Sequence, residues 1–352
     1  MEDPLVSIFH FGDSHIQGDG FSGIMRTELQ KKYGTAGRGL IFPYCLAKTN
    51  HPSDVSSKTN IIWQFKSNLK YSKELPTGLA GYCAKPINSH FSVEVKTKSQ
   101  NGIDNGFNKI QIIQSNHSSQ STLVAKFSES DSFGLLPSTE NDFGLWKRTI
   151  FEFEEPVNQI NFQEIPSSIE LINPTIYGII LENTESSGIL YHTAGVNGAQ
   201  LFHFQKSDFF IDQAAALNPK LIIVSLGTNE VFNDFLDTMA WGKKIDTLIL
   251  RFREKLPGVC FLFTTPPDSW RNGTPRPLLE SISKILYQKA EELDFAVWDF
   301  REVMGGKGSM KTWNRARLSQ DDLVHLTQTG YNLQGFLLIE ALEKAQKEMY
   351  GH

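Results

Sequence analysis

Cysteine is scarce in this chain, which contains three in 352 residues: Cys45, Cys83 and Cys260. None of them belongs to a CxxC pair, and this absence argues against a zinc site and against a dithiol redox motif. One disulfide among the three is possible, and the sequence does not say which pair would form it. Cys260 falls in the apolar run 259–263, where a cysteine is usually a small buried residue, so we expect it in the core.

Long apolar runs and an excess of positive charge are also missing. No stretch approaches the roughly 20 apolar residues that span a bilayer, so no membrane span is predicted. The first residues, Met1–Pro4, have neither the basic nor the apolar region of a signal peptide; the protein is either cytoplasmic or has lost an export signal ahead of this chain. The formal net charge of -5 offers no electrostatic footprint for nucleic acid, and we expect no such partner.

What the chain does have is an ordinary globular composition, 40% hydrophobic and 21% charged, with enough length for two domains. At both ends, apolar strands alternate with segments of helical periodicity. The predicted strands are 5–11, 188–192, 221–226, 260–264 and 296–300; helical segments follow them, the last over 327–349. Continuous apolar strands separated by helices indicate a parallel sheet covered by helices on both faces. We assign residues 1–55 and 185–352 to this discontinuous α/β domain.

The middle of the chain, residues 56–184, has a different pattern. Phe91, Val93 and Val95 alternate with polar residues, and the segments 150–154 and 159–163 continue in the same style. A period of two is typical of half-buried antiparallel strands, and several such strands at short spacing predict an inserted β-sandwich. Such a domain is a candidate carbohydrate-binding unit.

A Phe-Gly-Asp-Ser-His turn at residues 11–15 follows the first predicted strand and precedes a helix. Ser14 would therefore lie at the carboxyl edge of the parallel sheet, where open α/β sheets place their ligand crevice. A Gly-Asp-Ser triplet also makes ordinary turns and helix caps. Asp13, beside the candidate nucleophile, is expected to pin the turn rather than to take part in chemistry.

Three further segments place polar groups at the same edge of the sheet. Residues 193–199 follow a strand with glycines that let backbone N–H groups approach a ligand, and 225–230 repeat the arrangement with Asn229 at the turn. Each could equally be a tight turn or a helix cap. Asp322 and His325 lie just before the last helix, three residues apart, so that the carboxylate can fold back onto the imidazole. A serine needs such an imidazole and carboxylate to become a nucleophile at neutral pH.

Taken in order, Gly12-Asp13-Ser14, Gly198, Gly227-Thr228-Asn229 and Asp322-Leu323-Val324-His325 resemble the four sequence blocks of the SGNH (GDSL-like) hydrolase family. The resemblance covers both α/β segments and implies a flavodoxin-like, three-layer α/β/α hydrolase domain. It also implies that Ser14, Asp322 and His325 form a catalytic triad, and that Ser14, Gly198 and Asn229 form the oxyanion hole. His15 departs from the family, which usually has Leu there. Gly-Asp-Ser-His together with an inserted sandwich is similar to the bacterial peptidoglycan O-acetylesterases.

The contacts with substrate are less defined by the sequence. We propose His15 and Trp313 as candidate substrate-binding residues, His15 for its place beside the nucleophile and Trp313 because exposed aromatics stack on sugars. Trp63 and Trp270 are candidates for the same reason as Trp313. His192 and His203 are expected to be structural. No other His, Asp or Glu cluster has metal-ligand spacing, so neither a metal nor another cofactor is predicted.

These motifs predict a serine esterase that removes O-acetyl groups from a glycan, with an acetylated cell-wall polymer as its partner. The alternatives are an acetylxylan, other polysaccharide or sialate O-acetylesterase, and an acyltransferase, all of which use the same triad. A non-enzymatic alternative is a glycan-binding protein on a degenerate hydrolase scaffold. A cell-wall substrate implies a periplasmic or extracellular location, with the cytoplasm as the alternative. The oligomeric state is left open.

Overall fold

The computed structural model describes residues 5–70, 72–88, 90–116, 121–127, 134–166, 173–232 and 235–351. Residues 1–4, which the signal-peptide argument concerned, lie outside the described ranges. Within these ranges, the strands are β1 (Val6–Gly12), β2 (Gly39–Ile41), β3 (Val55–Thr59), β4 (Trp63–Ser67), β5 (Tyr82–Pro86), β6 (Ser92–Thr97), β7 (Phe107–Ser115), β8 (Ser121–Lys126), β9 (Thr139–Asp142), β10 (Trp146–Val157), β11 (Gln159–Pro166), β12 (Ile176–Glu182), β13 (Ile189–Gly195), β14 (Leu221–Ser225), β15 (Cys260–Thr264), β16 (Trp270–Arg271), β17 (Thr274–Pro275) and β18 (Ala296–Trp298).

The α-helices of the described ranges are α1 (Ser14–Gln17), α2 (Gly20–Tyr33), α3 (Leu201–Gln205), α4 (Phe210–Ala215), α5 (Thr238–Lys255), α6 (Leu279–Leu293), α7 (Phe300–Val303), α8 (Ser309–Arg315) and α9 (Gln328–Tyr350). A 3₁₀ turn spans Tyr44–Leu46. None of the described helices has the length and apolar character needed to cross a membrane.

The two ends of the chain build one five-stranded parallel sheet in the order β13-β1-β14-β15-β18. Its strands carry apolar side chains on both faces: Ile8 of β1 packs in one hydrophobic cluster with Phe21 of α2, and Phe9 packs in the other with Phe210 of α4. Helices therefore cover both faces, and the predicted three-layer α/β/α fold class is confirmed.

The register of this sheet brings three loops together. Gly12, the last residue of β1, pairs with Gly195 of β13 on one side and with Ser225 of β14 on the other. Parallel strands that end in register deliver their following loops to one edge. A side chain at Gly12 would overlap the Ser225 carbonyl oxygen, so the close approach of these strand ends requires glycine there.

The middle of the chain forms two antiparallel sheets. One contains β4-β5-β12-β7-β10-β9, with β2 also paired to β12, and the other contains β3-β6-β11-β8. None of the described residues between 56 and 184 is helical, in keeping with the predicted all-β insertion. Strand β2, at Gly39–Ile41, already pairs with β12. We accordingly propose that the inserted unit begins near Gly39, ahead of the residue 56 predicted from the sequence.

The expectation that Cys260 lies in the core is wrong. Cys260 is exposed, although the four residues after it in β15 are buried. It is the first residue of its strand and pairs with Leu221 at the end of the sheet away from the site loops. An apolar run identifies a buried strand but does not reveal that its first residue protrudes from the sheet.

Candidate active site

The turn after β1 presents Ser14 at the edge of the parallel sheet, as the first residue of α1. Asp13 caps this short helix, because its Oδ1 accepts a hydrogen bond from the His15 backbone N–H at 3.0 Å. The cap fixes the direction in which the Ser14 side chain leaves the turn. Asp13 thus holds the turn in place, which is the role that the sequence predicted for it.

Ser14, His325 and Asp322 form a continuous chain of hydrogen bonds. Ser14 Oγ lies 2.8 Å from His325 Nε2, and His325 Nδ1 lies 2.6 Å from Asp322 Oδ2. When Nδ1 donates to the carboxylate, Nε2 has its lone pair directed at the serine hydroxyl, which is the tautomer a general base requires. The arrangement can therefore activate the Ser14 hydroxyl.

Asp322 is oriented by its own loop. Its second oxygen, Oδ1, accepts hydrogen bonds from the backbone N–H groups of Val324 at 2.9 Å and His325 at 3.0 Å. Burial tends to raise the pKa of Asp322, but the hydrogen bonds from His325 and Val324 outweigh it and the net direction is downward. The carboxylate therefore stays ionised at neutral pH and can stabilise an imidazolium.

The two other motif residues meet Ser14 at the same cleft. Gly198, with φ at +81°, and Asn229 both line it, at the loops that follow β13 and β14. Asn229 Nδ2 lies 3.2 Å from Asp13 Oδ2 and 3.0 Å from the Ala199 carbonyl oxygen. These bonds join the Asn229 amide to the nucleophile turn and to the Gly198 loop. The predicted oxyanion-hole residues are thus brought together around one opening.

Two buried carboxyl groups adjoin Asn229: Asp13, which accepts its hydrogen bond, and Glu230, which follows it in the chain. Glu230 Oε1 accepts from the Leu201 backbone N–H at 2.8 Å and anchors the loop after β13 to the loop after β14. The pKa of Asp13 is raised to about 7, chiefly by burial; the hydrogen bond from the His15 backbone N–H opposes this rise, and the charge of Glu230 contributes to it. Asp13 therefore titrates close to neutrality while bonded to Asn229.

The cleft itself has a volume of about 710 Å³. Among the described residues that line it there is no Lys, Arg, Asp or Glu, whereas five carboxamide side chains are present: Asn50, Asn197, Asn229, Gln320 and Gln328. Carboxamides both donate and accept hydrogen bonds without a net charge. Such a lining suits a neutral ligand rich in hydroxyl and amide groups.

His15 is among the residues that line the cleft. Its Nδ1 lies 2.9 Å from the Tyr331 hydroxyl, and the side chain is almost wholly buried. Its role in substrate contact stays a proposal. Tyr331, on the first turn of α9, also lines the cleft and was not singled out by the sequence motifs, because nothing in its neighbourhood distinguishes it from a core tyrosine.

The structure contradicts the prediction that Trp313 binds substrate. Trp313 is 7% exposed, packs edge-on against Phe300 and donates its indole N–H to the Met304 carbonyl oxygen. It belongs to the core under α8 and does not line the cleft. An aromatic residue in a weakly periodic segment looks the same in sequence whether it is exposed or fills the core between short helices.

The other aromatic and histidine candidates do not line the cleft either. Trp63 is buried against Phe91, and Lys311 covers the face of Trp270 at 3.9 Å from the ring centroid. His192 is buried and accepts from the Leu40 backbone N–H, and His203 caps α3 through the Gln200 N–H. Within the described ranges, no group of three or more His, Cys, Asp and Glu residues is arranged to hold a metal ion.

Comparison with known proteins agrees with these motifs. Residues 181–333 match the model of the GDSL-like lipase/acylhydrolase family. No curated protein sequence matches the chain. Among solved structures, the chain is similar to a peptidoglycan O-acetylesterase with a TM-score of 0.81 and 24% identity, over 98% of this chain and 92% of that one.

Two further similarities are confined to less than half of this chain. A lipase/acylhydrolase from Enterococcus faecalis matches at 16% identity and a TM-score of 0.36, over 45% of this chain and 78% of that one. Axe2, an acetylxylan esterase from Geobacillus stearothermophilus, matches at 19% identity and a TM-score of 0.35, over 44% of this chain and 72% of that one. The resemblance read from the sequence is confirmed for residues 181–333, which match the GDSL-like lipase/acylhydrolase family and contain Gly198, Asn229, Asp322 and His325. The similarity over nearly the whole chain confirms the fold.

Proposed function

We propose that this protein is a serine esterase that removes O-acetyl groups from a glycan, and that its substrate is O-acetylated peptidoglycan. The observation that carries the proposal is the hydrogen-bonded chain Ser14–His325–Asp322 opening into an uncharged, carboxamide-lined cleft. The similarity of nearly the whole chain, inserted domain included, to a peptidoglycan O-acetylesterase supports this choice of substrate.

The proposed reaction proceeds through an acyl-enzyme. His325 Nε2 takes the proton of the Ser14 hydroxyl as Ser14 Oγ attacks the acetyl carbonyl carbon. When the tetrahedral intermediate collapses, the ester C–O bond breaks and His325 returns the proton to the departing sugar oxygen. Water, deprotonated by His325, then attacks the acetyl-serine and releases acetate. Asp322 stabilises the imidazolium during both steps.

Negative charge develops on the carbonyl oxygen in each tetrahedral intermediate. We assign its stabilisation to the Ser14 N–H, the Gly198 N–H and the Asn229 side-chain amide. Loss of one such donor typically costs about 3 to 4 kcal/mol of transition-state stabilisation. Both hydrogens of Asn229 Nδ2 are donated in the structure, to Asp13 Oδ2 and to the Ala199 carbonyl oxygen, and these bonds hold the amide at the cleft. Donation to the oxyanion therefore requires one of them, such as the longer bond to Asp13, to be exchanged or shared.

The carboxamides of the cleft account for the glycan part of the proposal. Sugar hydroxyls and N-acetyl groups are neutral donors and acceptors, and Asn and Gln pair with both. A fatty acyl chain would instead require an extended apolar wall, whereas this cleft has Phe232, Val324 and Leu326 among mostly polar neighbours. A cell-wall substrate also implies that the enzyme acts outside the cytoplasm.

The test measures acetate released from O-acetylated peptidoglycan, acetylated xylan and acetylated sialic acid by wild type, Ser14→Ala and Asp322→Asn. We expect peptidoglycan to be the best substrate and Ser14→Ala to lose both acetate release and labelling by a fluorophosphonate. Asp322→Asn retains Ser14 and should still be labelled by the fluorophosphonate. Its kcat should be lower than that of wild type by roughly 10²- to 10⁴-fold. Equal turnover by wild type and Ser14→Ala would contradict the serine-esterase mechanism. If wild type releases no acetate from any of the three substrates, a glycan-binding protein is favoured.

The same experiment separates hydrolysis from transfer. An acyltransferase with this triad would pass the acetyl group from Ser14 to a sugar hydroxyl in place of water. Analysis of the glycan products by mass spectrometry would then find acetyl groups moved to an acceptor sugar instead of free acetate. Preferred release from xylan or sialic acid would keep the esterase mechanism and overturn the choice of peptidoglycan.

A further inference from the structure

Gln17 is a buried side chain that connects the inserted β domain with the active-site loops. It ends α1, three residues after Ser14, and is 1% exposed. Its carbonyl oxygen, Oε1, accepts two hydrogen bonds: one from the Tyr82 hydroxyl of β5 at 2.9 Å and one from the Asn197 backbone N–H at 2.8 Å. One atom thus bridges a residue of the inserted domain and the loop that carries Gly198.

The amide nitrogen of Gln17 makes the second half of this bridge. Nε2 donates to Thr49 Oγ1 at 2.8 Å and to Asn50 Oδ1 at 2.6 Å, in the segment that connects β2 to β3. Asn50 Oδ1 also accepts from Asn197 Nδ2 at 3.0 Å. Asn197 is therefore held by its backbone through Gln17 and by its side chain through Asn50.

Packing supports the same contact. In β13, Gly195 lies so close to Gln17 that a side chain there would overlap the Gln17 backbone. Just before β5, Gly81 lies against Val196 of the same loop, again without room for a side chain. The loop 195–198 is thus confined between α1 on one side and the inserted domain on the other.

This matters because Asn197 directly precedes Gly198, whose N–H is assigned to the oxyanion hole. The Gly198 backbone has φ at +81°, and the structure keeps this segment in place through the Asn197 anchors and through the bond from the Val196 N–H to the Gly12 carbonyl. An oxyanion donor is effective when it is fixed in advance at the site where charge develops. Displacement of such a group by about 1 Å is enough to cost a large factor in rate.

We propose that Gln17 is a positioning residue through which the inserted β domain fixes the Gly198 N–H in the oxyanion hole. The inference rests on the proposed function and adds that the insertion is required for turnover of even a small ester that it does not itself bind. Gln17 acts through Asn197 and touches neither substrate nor the reacting atoms.

The experiment compares Gln17→Met, Tyr82→Phe and Tyr44→Phe with wild type on p-nitrophenyl acetate. Gln17→Met keeps the side-chain length and removes every hydrogen bond of the bridge, and Tyr82→Phe removes only the bond donated to Oε1. Tyr44→Phe is the matched control, because its ring packs edge-on against Tyr82 at 5.7 Å but it makes no bond to Gln17. Active sites are counted by exhaustive fluorophosphonate labelling, and kcat is expressed per labelled site.

We expect kcat per site to fall about 10- to 100-fold in Gln17→Met and about 2- to 10-fold in Tyr82→Phe, with KM nearly unchanged. Tyr44→Phe should keep the wild-type kcat per site. A merely structural role for Gln17 would lower the number of labelled sites or the Tm while leaving kcat per site intact.

The inference is overturned if Gln17→Met and Tyr82→Phe match wild type in kcat per site, or if Tyr44→Phe lowers it as much as Tyr82→Phe does. Ser14→Ala is measured alongside. If Ser14→Ala turns over like wild type, the proposed function fails; if it is inactive while the bridge variants are fully active, only the role of Gln17 fails.

Discussion

The imidazole ring of His15 lies 5.2 Å from that of His325, centroid to centroid, with 34° between the ring planes. His15 is held by the Tyr331 hydroxyl at 2.9 Å and is nearly fully buried, so it supports one face of the proposed base. The pKa of His15 is lowered to about 3, chiefly by burial and also by the neighbouring His325, against a raising effect of Asp322. His15 is therefore neutral across the working pH range and adds no positive charge beside His325.

His15 is predicted to act by packing, and two substitutions test this. His15→Ala opens a cavity beside His325 and should lower kcat on p-nitrophenyl acetate about 10- to 100-fold, because the base loses its fixed orientation. His15→Leu fills the space with the residue usual in the family and should stay within about threefold of wild type. Since His15 is neutral above about pH 4, the shape of the pH–rate profile of His15→Leu should follow that of wild type.

The comparison of the two variants separates packing from hydrogen bonding. If His15→Leu is as slow as His15→Ala, the imidazole or its bond to Tyr331 is what supports catalysis, and the packing role is wrong. Tyr331→Phe, which keeps the ring and removes only the hydroxyl, shows whether that bond alone accounts for the loss.

The α/β fold could be predicted from the sequence because its strands are apolar throughout and its helices have a clear period. Strand β14 was expected over 221–226 and spans Leu221–Ser225; helix α9 was expected over 327–349 and spans Gln328–Tyr350. The meeting of Ser14, Gly198 and Asn229 also followed from sequence, because each motif comes after a parallel strand and such strands deliver their loops to one edge. Asp322 and His325 are three residues apart in a single loop, so their contact is local.

What sequence did not reveal depends on contacts between distant segments. Gln17 meets Tyr82 only because the inserted domain folds back onto the turn after β1, and no periodicity encodes such a contact. The pairing of β2 with β12 was not predicted, because a three-residue strand is too short to show alternation. Trp313 was misplaced because the exposure of an aromatic residue between short helices is set by tertiary packing.

Asp13 is predicted to make stability depend on pH near neutrality. Its pKa is raised in the fold to about 7, above the ordinary value of 3.8, so the folded protein holds this proton more tightly than the unfolded chain does. The stabilisation is fully present below the unfolded pKa and is lost as pH rises through about 7. Asp13→Asn cannot ionise. The Tm of this variant minus the Tm of wild type, measured by thermal unfolding, should therefore increase as the pH is raised from 5 to 8. A constant difference in Tm across that range would show that Asp13 is ionised throughout.

Arg26 and Arg38, both buried, share the carboxylates of Asp19 and Asp54 and join α2 to the segment before β3. Asp54→Asn leaves two buried guanidinium groups with one carboxylate, and the apparent free energy of unfolding at pH 7 should fall by about 3 to 5 kcal/mol. Burial raises the pKa of Asp54, but the charges of Arg38 and Arg26 outweigh it and the pKa is lowered.

This contribution is present above the unfolded pKa of 3.8 and is lost as pH falls through the lower folded value. The difference in the free energy of unfolding between wild type and Asp54→Asn, measured with urea, should therefore become smaller when the pH is lowered below about 4. Glu280→Gln, which removes an exposed partner of Lys284, serves as the control and should leave the unfolding midpoint unchanged. If Asp54→Asn and the control have the same unfolding midpoint at pH 7, the prediction is wrong. The buried network would then contribute no stability where the α/β domain meets its insertion.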